Sequence, residues 1–87
     1  MPAAADLSNF SCTRDDGVWS AEGDITNSAR VAMVYTVTVA AVDGAGVSGQ
    51  DSAQVLLRPG ASTSFDLDEI AEGAADACLP RLLRTPR

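Results

Sequence analysis

The stretch from Ala29 to Val42 constrains this chain more than any other part of it. Seven of its residues, Val31, Val34, Thr36, Val37, Thr38, Val39 and Val42, branch at Cβ. Branched side chains lose rotamer freedom against a helical turn and pack well on a pleated strand. Val31, Met33, Tyr35, Val37 and Val39 alternate with Ala32, Val34, Thr36, Thr38 and Val42, so both faces are fairly apolar. The pattern predicts a central strand over 29–42, and its two threonines and its length rule out a membrane helix, which needs about 20 apolar residues.

The segment before it has a cleaner period of two. From Val18 to Asn27, Trp19, Ala21, Gly23 and Ile25 share one face, while Ser20, Glu22, Asp24 and Thr26 share the other. This predicts a half-buried strand with Trp19 and Ile25 inward. Upstream, Leu7 to Thr13 forms a first strand, with Leu7, Ser11 and Thr13 on one side and Phe10 and Cys12 on the other. Asp15-Asp16-Gly17 is the turn between the two, because Asp-Gly supplies the backbone conformations of a tight hairpin.

Downstream, Asp43-Gly44-Ala45-Gly46 reads as a hairpin turn, then Val47 to Gln50, then Asp51 to Arg58 alternating around Ala53, Val55 and Leu57. Pro59-Gly60 is a second turn, and Ser62 to Leu67 a further strand with Phe65 and Leu67 apolar. Asp68 to Ala77 holds Ile70 as its one large hydrophobe and reads as a loop or short helical turn. Cys78 to Leu83 closes the sheet, with Pro80 at an edge or bulge.

Strands punctuated by Gly, Asn, Asp and Pro at this spacing define an all-β fold, an immunoglobulin-like β-sandwich of about six to seven antiparallel strands. The expected layout is a disordered segment 1–6, a single domain 7–84 and a tail or linker 85–87. Cys12 and Cys78 fall on the first and last strands, so one disulfide between them would enclose nearly the whole domain. An 87-residue chain buries little core, which gives such a staple weight. No CxxC spacing points to zinc or redox catalysis.

The charge balance narrows function. Net charge is −6, all six cations are arginines, and lysine and histidine are both absent. An acidic chain repels a phosphate backbone, so no nucleic-acid partner is expected. Schiff-base chemistry and isopeptide crosslinks require lysine, and the commonest general base is missing. Two acidic groups, Asp15, Asp16, Glu22 and Asp24, and Asp66, Asp68, Glu69, Glu72 and Asp76, offer hard oxygens, yet neither matches a calcium loop. They are expected to be solvated faces. Asn9-Phe10-Ser11 is a formal glycosylation sequon, and Arg81, Arg84 and Arg87 make a basic C-terminal stretch. No catalytic, cofactor-binding or metal site is expected, and no enzyme.

Gly23-x-Ile25-x-Asn27-Ser28, Val37-x-Val39 leading to Asp43-x-x-Gly46, and Leu57-x-Pro59-Gly60 with Phe65 downstream give Gly17 to Leu67 a resemblance to small bacterial immunoglobulin-like domains of the FxLYD type. Such domains occur in secreted and lipid-anchored actinobacterial proteins and carry a cysteine near each end, as at Cys12 and Cys78. The resemblance implies a non-catalytic protein-binding or structural module in the cell envelope or an extracellular assembly, with no membrane span in this chain and a lipid anchor as an option for the full-length protein. Contact through a sheet edge or face is expected, first over Val47 to Leu57. The rival expectation is a virion or tail decoration subunit of a phage infecting a high-GC bacterium, a genome type suited to arginine without lysine.

Overall fold

A computed structural model describes residues 3–44, 46–72 and 77–87. It is an all-β sandwich with six strands among the described residues: β1 Leu7–Asp15, β2 Val18–Thr26, β3 Met33–Asp43, β4 Gly46–Leu57, β5 Ser62–Glu72 and β6 Ala77–Pro86. Every pairing is antiparallel. One sheet has the order β1-β2-β5 and the other β4-β3-β6. Labelled A, B, C, C′, E and F in chain order, these are the A-B-E and C′-C-F sheets of an immunoglobulin-like Greek key.

The core forms where the alternating strands face one another. β3 contributes Met33, Tyr35, Val37, Val39 and Ala41, and β2 contributes Ala21 and Ile25. Phe65, Leu67, Ile70 and Ala71 of β5, Leu57 of β4, Leu82 of β6 and Ala3 before the first strand complete it. Removing each of the Val, Leu, Ile, Met and Phe side chains from water contributes about 1.5–3 kcal/mol. Trp19 is half-buried and packs against this cluster, as its place in the β2 alternation implies. The β1–β2 turn runs through Asp16 at φ 51° and Gly17 at φ 78°, the two left-handed positions of the tight hairpin that Asp-Gly accommodates.

Bulges in β1 and β5 reset the strand period. In β1, Ser8 pairs with Asp24 and Ser11 with Glu22, so Asn9 and Phe10 together oppose Gly23. Asn9 takes φ 53° there, and the shift lets Leu7, Phe10 and Cys12 all pack against the core despite their mismatched parity. In β5, Leu67 pairs with Ala21 and Ala71 with Trp19, and Glu69 at φ 55° sits in the longer segment. Burial passes from Phe65 and Leu67 to Ile70 and Ala71 across it.

Several boundaries differ from expectation. The central strand begins at Met33 instead of Ala29, because residues 27–32 form a loop held by Asn27, and Val31 is 54% exposed. Val47 to Leu57 is one strand, not two segments, with position 48 as an extra residue opposite Ala41 and Val42. Strand β5 runs on to Glu72, so Asp68 to Glu72 is not a loop; residues 73–76 and Ala45 of the predicted hairpin turn lie outside the described residues. Residues 3–6 are not disordered: Ala4–Asp6 is a short 3-10 turn, Ala3 and Asp6 are buried, and the Ala3 N–H donates to the Leu82 carbonyl. Residues 85–87 belong to the fold, since β6 continues to Pro86 and Arg87 N–H donates to Ala32.

Candidate functional site

The ends of the chain meet in a buried polar cluster. Asp6 Oδ2 accepts from the Tyr35 hydroxyl at 2.6 Å and from the Arg84 guanidinium at 2.9 Å, while Oδ1 accepts from Ser28. Burial pushes the Asp6 carboxyl up, but the hydrogen bonds from Ser28 and Tyr35 and the Arg84 charge outweigh it and hold it below its usual value. Tyr35, fully buried, is raised by desolvation and by its bond to that carboxylate. Asn27, 1% exposed, uses its whole side chain: Nδ2 donates to the carbonyls of Val31 and Leu57, and Oδ1 accepts from the Ala29 N–H and the Tyr35 hydroxyl. The cluster ties the β2–β3 loop, the end of β4, the N-terminal turn and β6 together. Its centre, Asp6, Asn27 and Tyr35, is buried, while Ser28 and the Arg84 side chain reach the surface.

Cys12 and Cys78 are bonded, joining β1 to β6 with Cα atoms 6.4 Å apart. Immunoglobulin domains of antibodies link B to F instead. Here the bond closes the seam between the two sheets on the β1 and β6 side.

Glu22 and Asp24 of the first acidic group and Asp66 of the second share the outward face of β2 and β5, where Glu22 pairs with Asp66 and Asp24 with Ser64. Asp24 is held by Asn9 and Ser64, whose hydrogen bonds lower its pKa. Among the described residues no three His, Cys, Asp or Glu side chains are grouped to hold a metal ion, and Asp76 lies outside them. Arg84, read as part of a basic tail, is instead drawn into the Asp6 cluster, while Arg81 and Arg87 are exposed.

The four sheet edges are not equivalent. β1 is broken by the Asn9 bulge, and β5 by the Glu69 bulge together with its acidic side chains. β6 carries Pro80 and Pro86 and already accepts the Ala3 N–H at Leu82. Bulges, prolines and charges are the devices that keep an edge from pairing further. β4 has its bulge at position 48 and a charge at Asp51, but from Ser52 to Leu57 its ladder with β3 is unbroken and holds no proline, charge or bulge.

Which β4 groups face outward follows from the register. Leu82 turns its carbonyl away from β3 toward Ala3, while Arg87 turns its N–H toward Ala32. Antiparallel residues alternate in this respect, so even-numbered β6 residues point out and odd-numbered ones bond β3. The even residues of β3 are thereby engaged with β6, leaving its odd residues for the odd residues of β4. Ser52, Gln54 and Leu56 therefore aim their backbone N–H and C=O at the open edge. The Ser52 N–H is capped by the Asp51 carboxylate at 2.9 Å.

Beside this edge the seam between β4 and β5 stays open. Its lower end is shut where Gly49 meets Ile70 and Ala71; a Cβ there would lie 2.5 Å from the Ile70 carbonyl oxygen. Above it is a cavity of about 240 Å³ lined by Ile25, Val37, Ala53, Val55 and Phe65, with Asp66 among its polar residues. Sequence alternation pointed to β4, but not to the cavity, which depends on a direct Arg58–Ala61 turn from β4 to β5 with no strand between them.

Comparison with family models, curated proteins and solved structures finds no match to this chain.

Proposed function

We propose that this domain is a non-catalytic protein-binding module of a secreted or cell-envelope bacterial protein or extracellular assembly, and that it engages its partner by pairing an extended strand with β4. The observation that carries this reading is the regular β4 edge from Ser52 to Leu56, where only the Ser52 N–H is covered, by the Asp51 carboxylate, beside three edges interrupted by bulges or prolines. Added strands bind through main-chain hydrogen bonds and gain selectivity from side-chain pockets. Leu56, 45% exposed, offers apolar area on the outer face of the same edge.

Other features support the same reading. Among the described residues, three grooves of about 270, 230 and 240 Å³ are each smaller than the roughly 300 Å³ at which small-molecule sites begin. A disulfide closing most of the chain suits an oxidising compartment.

The test is a selection of ten-residue peptides from a random displayed library on the oxidised domain, followed by an N-methyl scan of an enriched peptide. Strand pairing predicts losses of about tenfold or more at alternate positions, where an N–H faces β4, and near-normal binding between them. Sensitivity without alternation contradicts edge pairing.

A further inference from the structure

The cavity beside β4 defines what kind of strand the edge accepts. A strand added to β4 alternates its side chains. Those beside Ser52, Gln54 and Leu56 lie on the outer face of the sheet, and those beside Asp51, Ala53 and Val55 turn toward the seam. The position opposite Ala53 thus points into the cavity formed by Ile25, Val37, Ala53, Val55 and Phe65. Its volume of about 240 Å³ and its hydrocarbon floor suit one aliphatic side chain.

Two residues along, the same side of the added strand meets Asp51. In the free domain the Asp51 carboxylate occupies the Ser52 N–H, standing where a partner carbonyl would bond. An arriving strand takes that N–H with its own carbonyl and releases the carboxylate. A freed carboxylate on a chain of net charge −6 favours a cation.

Resting on the β4-edge reading, we infer that the partner segment is an extended peptide with an aliphatic residue and an arginine or lysine two positions apart, the first filling the β4–β5 cavity and the second pairing with Asp51. The displaced Asp51 cap makes the edge self-protecting in the absence of such a segment.

The test uses peptides enriched from the random library and three variants of the oxidised domain. Ala53→Leu fills the cavity, Asp51→Asn keeps the cap oxygen without its charge, and Gln54→Pro removes an outward N–H while sparing the β3 ladder. Native near-ultraviolet circular dichroism qualifies each variant. The inference expects enriched peptides to share the aliphatic-x-basic pattern and to lose about tenfold in affinity on Ala53→Leu. It expects Asp51→Asn to weaken binding about threefold and flatten its salt dependence. Patternless peptides that fail on Gln54→Pro but tolerate Ala53→Leu would overturn the cavity inference and leave edge pairing standing. Peptides indifferent to all three variants, or no enrichment, overturn both. Gel filtration supplies a separate arm: a dimer abolished by Gln54→Pro and retained by Ala53→Leu overturns the peptide occupant in favour of a second copy.

Discussion

Arg84 donates a hydrogen bond to Asp6 over 2.9 Å, joining residues 78 positions apart and fastening both ends of the chain to one corner of the sandwich. The Asp6 carboxylate also accepts from Tyr35 and Ser28, so its removal orphans several donors at once. Asp6→Ala is expected to lower stability by about 2–4 kcal/mol in urea unfolding, the range for deleting one partner of a buried charged cluster.

The same carboxylate sets a pH dependence. Its folded pKa lies below the unfolded value of 3.8, so the unfolded chain binds the proton more tightly and stability rises with pH through that range. The contribution is complete above about pH 5 and is lost as pH falls through the depressed folded value. Urea midpoints followed into acid should fall more steeply for the native chain than for Asp6→Asn, which starts lower and cannot titrate. Parallel curves contradict the assignment.

Asn27→Ala is expected to cost about 1–3 kcal/mol, because it leaves the buried Leu57 carbonyl without this donor and removes the part-buried bonds to the Val31 carbonyl and the Ala29 N–H. Its signature beyond stability is faster amide exchange in residues 28–32.

Loss of the disulfide should cost about 4 kcal/mol by chain entropy, given a separation of 66 residues. Cys12→Ala with Cys78→Ala and the reduced native chain should show the same urea midpoint. A midpoint unmoved by reduction contradicts the staple.

Gly49→Ala should cost about 1–3 kcal/mol by overpacking and exceed Gly23→Ala. The added methyl at position 49 meets the Ile70 backbone, whereas at position 23 it meets the Phe65 ring, whose far end can turn aside. Equal urea midpoints for the two variants contradict the close β4–β5 approach.

Much of the sandwich was legible because β2 and β3 keep strict alternation: Ala21 and Ile25, then Tyr35, Val37 and Val39, are inward where the pattern places them. The cysteine pairing followed from strand placement. What escaped was set by exceptions to the period. Glu69 shifts β5 by a bulge, so Ile70 falls out of phase with Phe65 and Leu67 and the segment resembles a loop. The side chain of Asn27 gathers the four residues after it into a loop that composition alone reads as strand. Asp6 carries no local signal, since Ser28, Tyr35 and Arg84 are 22, 29 and 78 positions away. At the candidate site, β4 was visible as an alternating segment, but its open edge follows from strand order and from Pro80 and Ala3 guarding β6 instead.

The most direct measurement is residue-resolved amide hydrogen exchange across β4, with and without an enriched peptide. An open edge predicts slow exchange at Ala53, Val55 and Leu57, fast exchange at Gln54 and Leu56, and protection of those two amides when the peptide binds. Uniform protection of residues 53–57 in the free domain, or an exchange pattern unchanged by bound peptide, would contradict strand pairing at β4.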